Sequence, residues 1–246
     1  MGSMHAGKDV CGPGRTGPGI FMVSVFALFW LISSAPALYA AAMEQENRLI
    51  ECRQVVLDIM GAPDGGIPAD LFRRSAGIVV FPSVLKAGLG FGGHYGKGVV
   101  LRRDPKTGRW GPPVFLRLIG GSFGWQIGVQ ATDLVLLTMN EISLKALFKD
   151  TLTIGADASV AAGPVGRDAS AGTDLGLSVG MLSYSRAKGL FAGVSVKGSV
   201  IEVDWAANGA YYGSEASLID MFFSNKGTTS PAAGKLIQTL NNYNRK

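Results

Sequence analysis

Apolar positions recur at helical spacing from Glu46 to Met60, with Leu49, Cys52, Val56, Ile59 and Met60 on one side and charges on the other. That pattern predicts a helix, ended by the turn-rich run Gly61-Ala62-Pro63-Asp64-Gly65-Gly66. A short second helix follows, with Pro68 near its first position, Leu71 and Phe72 facing inward, and Gly77 closing it. The period then changes. Ile78–Phe81 reads as a short apolar strand interrupted by Pro82, and Gly88–Gly93 with Lys97–Arg102 reads as a hairpin. Arg103–Pro113 is a polar loop, and Val114–Ile119, Ser122–Gln130 and Asp133–Met139 are three further strands. Asn140 is placed to cap a helix over Glu141–Phe148. Thr151–Asp204 reads as almost entirely β, including the segment SVIEVDWA, and Ser214–Phe223 and Pro231–Tyr243 read as helices.

This order predicts an α+β fold: a long curved antiparallel sheet or partly closed barrel, braced by N-terminal and C-terminal helices. Repeated glycine and alanine on one face of the strands permit tight curvature.

Ile20–Ile32 is a run of mostly apolar residues after a weakly basic start, and it ends in small residues. This is the layout of a secretory signal peptide, with cleavage expected after Ala42, or alternatively after Ala40. An uncleaved anchor over Ile20–Leu38 is the other reading. Residues 43–246 then form one domain. Of the two cysteines, Cys11 leaves with the leader, so Cys52 has no internal disulfide partner and is expected to act as a small buried apolar residue.

Charge changes the picture further. Between Asp70 and Asp133 the chain carries nine bases and one acid, Asp104, within a total of +5 over 246 residues. Such clustering suggests a surface for an anionic partner; edge-protecting charges on solvated strands are the structural alternative. An export signal disfavours nucleic acid and leaves the head groups of anionic membrane lipid, where each base near the surface contributes about 1 kcal/mol.

Short catalytic motifs do not hold up. Gly120-Gly121-Ser122-Phe123-Gly124 matches a nucleophile elbow, yet His94 precedes Ser122 and the flanks read strand–strand. Gly88-x-Gly90-x-x-Gly93 matches a dinucleotide fingerprint, yet no helix follows to hold a pyrophosphate. His94 is a lone histidine expected in a hairpin turn, and no Cys/His cluster points to a metal. A hydrolase using Ser122 is therefore the least favoured reading, and no motif calls for a cofactor.

The blocks AGIVVFPSVLKAGLGFGGHYGKGVVLRRD, GGSFGWQIGVQATDLVLL, ADASVAAGPVGRDASAGTD and YSRAKGLFAGVSVKGSVIEVD resemble, in order, the SYLF domain, a lipid-binding family that includes yeast actin-patch proteins. The resemblance spans about Asn47–Gly213. It implies a non-enzymatic domain that binds membrane lipid, phosphoinositides in eukaryotic members, some of which are also associated with actin. Bacterial members typically carry an export signal, so the resemblance implies an envelope protein, with another envelope protein or an actin-like partner as the alternative ligand. In eukaryotic relatives an N-terminal amphipathic helix is implicated in membrane contact. The matching helix here is acidic, with Glu46, Glu51 and Asp58 against Arg48 and Arg53. The candidate head-group ligands are therefore Lys86, Lys97, Arg102, Arg103, Arg186 and Lys188.

Overall fold

The computed structural model describes residues 42–62, 66–149, 151–165, 179–187, 190–191, 198–213 and 218–244, with backbone alone at 88–91, 122–128 and 190–191. The chain divides into two units, Met1–Ala40 and Ala41–Lys246, and everything below concerns the second. The leader, Lys188 and much of the span 166–197 lie outside the described residues. Among the described residues no helix is long and apolar enough to cross a membrane.

Helix α1 covers 42–60 and buries Leu49, Cys52, Val56 and Ile59. Helix α2, Ala69–Arg74, buries Leu71 and Phe72. Ser75 closes it by donating its hydroxyl to Phe72 O at 2.7 Å, and Gly77 opens the next strand instead of ending the helix.

The β region departs most from the sequence reading. Strands β1, Gly77–Arg102, and β2, Val114–Thr138, form one continuous antiparallel ribbon, in register from Val100↔Val114 out to Gly77↔Thr138. Gly88–Gly93 and Lys97–Arg102 therefore belong to one strand and do not pair as a hairpin. The three segments assigned between Val114 and Met139 are likewise one strand.

Pro82 does not end β1 because a bulge between Phe81 and Val84 absorbs it. Ser83 takes a φ of 49° there, and its N–H donates to Asp133 Oδ1 at 2.9 Å. A second irregularity sets Gly88–Gly90 against Gly124–Gly128. The ribbon folds back on itself around this glycine-rich middle. A methyl added to Gly98 would run into Val80 O and the Phe81 ring, and one on Gly96 would stand 3.0 Å from Val84 Cγ2. Only glycine lets the two ends of β1 lie this close.

β2 is the spine of the sheet. One edge carries β1. The other carries β7, Val200–Val203, opposite Leu116–Ile119, and β5, Met181–Ala187, opposite Asp133–Thr138. Strand β3, Leu152–Thr153, extends β7. Strands β4, Val160–Ala162, and β6, Leu190–Phe191, flank β5, with β4 the parallel member. The result is the expected α+β architecture: a curled, largely antiparallel half-barrel braced by helices at both ends of the domain.

Among the described residues four further helices complete it. In α3, Glu141–Ala146, the Asn140 side chain accepts from Ser143 N at 2.8 Å. Helix α4, Trp205–Tyr212, occupies sequence expected to continue a strand; Asp204 stops the strand by accepting Ala207 N and capping the helix. Helices α5, Leu218–Ser224, and α6, Pro231–Tyr243, follow, the latter with Ser230 as its cap.

The two faces of the sheet bury separate cores. One sets Ile78, Val80, Val99, Leu101 and Phe115 against α1, α2 and α6. The other sets Val79, Phe81, Leu116, Leu134 and Leu136 against α3 and α5. Several polar contacts fix α1 to the first face. Arg48 Nη1 meets Asp204 Oδ2 at 3.2 Å with both side chains buried, and the guanidinium lies 5.3 Å over the Phe115 ring. Arg53 Nε donates to Thr239 Oγ1 at 3.0 Å, and Cys52, buried as expected, sits 3.7 Å from Val80 O.

Candidate functional site

Side chains alternate along each strand of the ribbon, so register assigns every residue to a face. Lys97, Tyr95, Leu85, Arg117, Ile119 and Val129 share the face that, at the ends of the ribbon, packs on α1. In the middle of the ribbon nothing described covers that face. Val129 is 78% exposed, Leu85 52%, Ile119 43% and Tyr95 42%. Tyr95 stands directly opposite Ile119, and Leu85 opposite Ala131. Lys86 lies next to this row on the reverse face, exposed and opposite Gln130. Lys97 and Arg117 stand opposite each other at its edge. These exposed apolar side chains share one face of the ribbon, with Lys97 and Arg117 at the edge of that face and Lys86 on the reverse, to either side of the glycine-rich middle.

The sequence-derived bases are not brought together. Lys97 Nζ is 2.7 Å from Glu44 Oε1 in the first turn of α1, and that contact, helped by the charges of Lys97 and Arg48 and opposed by partial burial, sets the Glu44 carboxyl below its usual range. Arg102 is buried on the opposite face from Lys97; it pairs with Glu141 at 3.0 Å, donates to Phe223 O and lies 5.7 Å from the Phe223 ring centre. Arg186 donates to Asp58 O in the last turn of α1. Arg103 is half-buried at the start of the 103–113 loop. Lys86 and Lys97 lie at the apolar row, while Arg102 and Arg186 serve internal contacts. Arg117, which the sequence reading did not single out, also borders the row, though it pairs with Glu202 at 2.8 Å. The apolar row itself had a signal in the sequence, since Leu85, Tyr95, Ile119 and Val129 break the polar side of an alternating pattern.

The catalytic motifs remain excluded on geometry. Ser122 lies in the interior of β2 opposite Gly92, with strand on both sides, so the sharp strand-to-helix turn of a nucleophile elbow is absent. His94 sits within β1, not in a hairpin turn, and its Nε2 lies 2.6 Å from Ser199 Oγ. Burial, and then the charge of Lys86, hold its imidazole below its ordinary value. Among the described residues no group of three His, Cys, Asp or Glu is placed to hold a metal.

Comparison with known proteins gives one consistent answer. Residues 119–243 match the family model Ysc84, described as Las17-binding protein actin regulator. The chain is 36% identical over 185 residues to LAS seventeen-binding protein 3 of Saccharomyces cerevisiae, covering 74% of this chain and 39% of that protein. It is 37% identical to Protein YSC84 of the same yeast. It is 33% identical over 186 residues to SH3 domain-containing YSC84-like protein 1 of Rattus norvegicus, covering 75% of this chain and 54% of that one. The chain thus spans from about two-fifths to about half the length of these relatives. With the matched segment running from Ile119 in β2 through the later strands to the end of α6, and these relatives matched over three-quarters of the chain, the chain belongs to the Ysc84, or SYLF, family.

Proposed function

We propose that this chain is an exported, non-enzymatic lipid-binding domain of a bacterial envelope, and that it meets anionic bilayers through the middle of the β1–β2 ribbon. The observation that carries the reading is the exposed row Leu85, Tyr95, Ile119 and Val129 beside Lys86, Lys97 and Arg117. Apolar side chains at that position gain by entering the acyl boundary, and bases at the rim gain about 1 kcal/mol each near an anionic surface. Lys97 and Arg117 already hold carboxylates and Lys86 lies on the reverse face, so the electrostatic contribution is modest and the apolar side chains supply most of the attraction. The SYLF resemblance and the apolar leader support the assignment to lipid and to export.

Co-sedimentation of the full chain with vesicles tests this. Binding is expected to phosphatidylglycerol vesicles over phosphatidylcholine, weakened at 0.5 M salt, and reduced at least tenfold by Val129→Asp with Tyr95→Asp. Equal, salt-insensitive binding to both vesicle types overturns it.

The second reading is a protein partner, actin included, favoured by the family description and by β1, which among the described strands pairs on one edge alone. Recovery of the chain with actin filaments, undiminished by the two aspartates, would favour that reading.

A further inference from the structure

A second surface lies away from the ribbon's middle. The 103–113 loop packs on the C-terminal half of α6 and leaves beside it an open cleft of about 520 Å³. One wall is Thr107, Gly108 and Arg109, and the other is the α6 stripe Gly234, Gln238, Asn241 and Asn242. Residues three and four apart share a helix face, so these amides form a row. A methyl on Gly234 would meet nothing within 4 Å, which leaves that end of the row open.

The row already holds main chain. Asn241 Oδ1 accepts Trp110 N at 3.2 Å, and Asn244 Nδ2 donates to Gly108 O at 2.9 Å. A side-chain amide carries both a donor and an acceptor, the same complement as a peptide group. The outer members, Gln238 and Asn242, are exposed in the cleft.

The loop wall is basic. Arg109 lines the cleft. Arg103 stands behind Gly108, where a Cβ would come within 3.0 Å of its Nη2. Arg103 Nε and Asn244 Oδ1 are buried without a partner, and among the described residues Arg103 has no acidic neighbour in an ion pair. Asp104, the one carboxylate of the loop, turns inward to accept Lys106 N at 2.7 Å and Thr107 N at 2.9 Å.

We infer that this cleft binds an extended acidic peptide segment, with Gln238 and Asn242 pairing to its main chain and Arg109 to a carboxylate, the charge of Arg103 behind Gly108 adding to the attraction. The cleft is open to solvent, and Arg109 on its wall is complementary in charge to that segment.

The test is a titration of the ¹⁵N-labelled full chain with the peptide Gly-Asp-Glu-Gly-Asp-Glu-Gly, followed on the side-chain amide signals of Gln238, Asn241 and Asn242. Saturable shifts confined to α6 and residues 104–110 are expected. Arg109→Glu or Gln238→Ala, both at exposed positions, should weaken binding at least fivefold without altering the rest of the spectrum. The Lys/Arg counterpart of the peptide should cause no shift. Three results overturn the inference: shifts spread over the surface, equal affinity in both variants, or equal shifts from free glutamate, which would make the site one for a carboxylate alone. None of these depends on vesicle binding by the ribbon.

Discussion

Asp204 does three things at once: it pairs with buried Arg48, caps α4 through Ala207 N, and offers its carbonyl to Asn208 Nδ2 at 2.9 Å. Asn208, fully buried, also bonds both backbone groups of Phe115. Removing one member of a buried pair strands the other charge at a cost of about 3–5 kcal/mol. Asp204→Ala should therefore lower the unfolding free energy in urea by about that amount. Asp204→Asn, which keeps the cap, should lose less, and adding Arg48→Met should recover part of the loss. His94 makes a pH-dependent contribution. The unfolded chain takes up the imidazole proton near pH 6.5, whereas the folded chain resists it because burial and Lys86 oppose the charge. Stability is then full above that pH and falls as the pH drops below it. Urea midpoints between pH 7.5 and 5.5 should show this slope, and His94→Gln should flatten it.

The ribbon's fold-back depends on glycines at particular places. Gly98→Ala should cost about 1–3 kcal/mol by overpacking against Val80 and Phe81. Gly121→Ala, whose methyl meets nothing within 4 Å, should leave the melting temperature nearly unchanged. The contrast also shows what the sequence could convey. The helix Pro231–Tyr243 and the Asn140 cap were legible because caps and helical periodicity act within a few residues. The unity of β1 was not, because Pro82 looks like a break unless the bulge and the Ser83–Asp133 contact, fifty positions apart, are known. Helix α4 was hidden because Asp204 closes a strand pattern as naturally as it opens a helix. At the candidate site the composition was legible and its distribution was not. Nine bases in one span read as a patch, but strand alternation and the partners Glu44, Glu141 and Glu202 separate them.

Across the whole molecule, stability should be uneven. The ends of the ribbon lie between two cores, while 85–87 and 129–131 are exposed and, among the described residues, paired to each other alone. Hydrogen exchange should therefore release amides in the ribbon's middle well before those of α1 and α6, which share one buried core. Equal protection throughout would contradict this layout.

The anchoring of α1 also bears on the order in which the protein is made. Arg48 meets a residue 156 positions later and Arg53 one 186 positions later. The earliest described helix of the domain thus lacks these two contacts until β7 and then α6 have been made. Until Thr239 emerges, the nascent chain has no finished core on that face. Premature termination anywhere before α6 should give a product that proteases remove, not a shortened working protein.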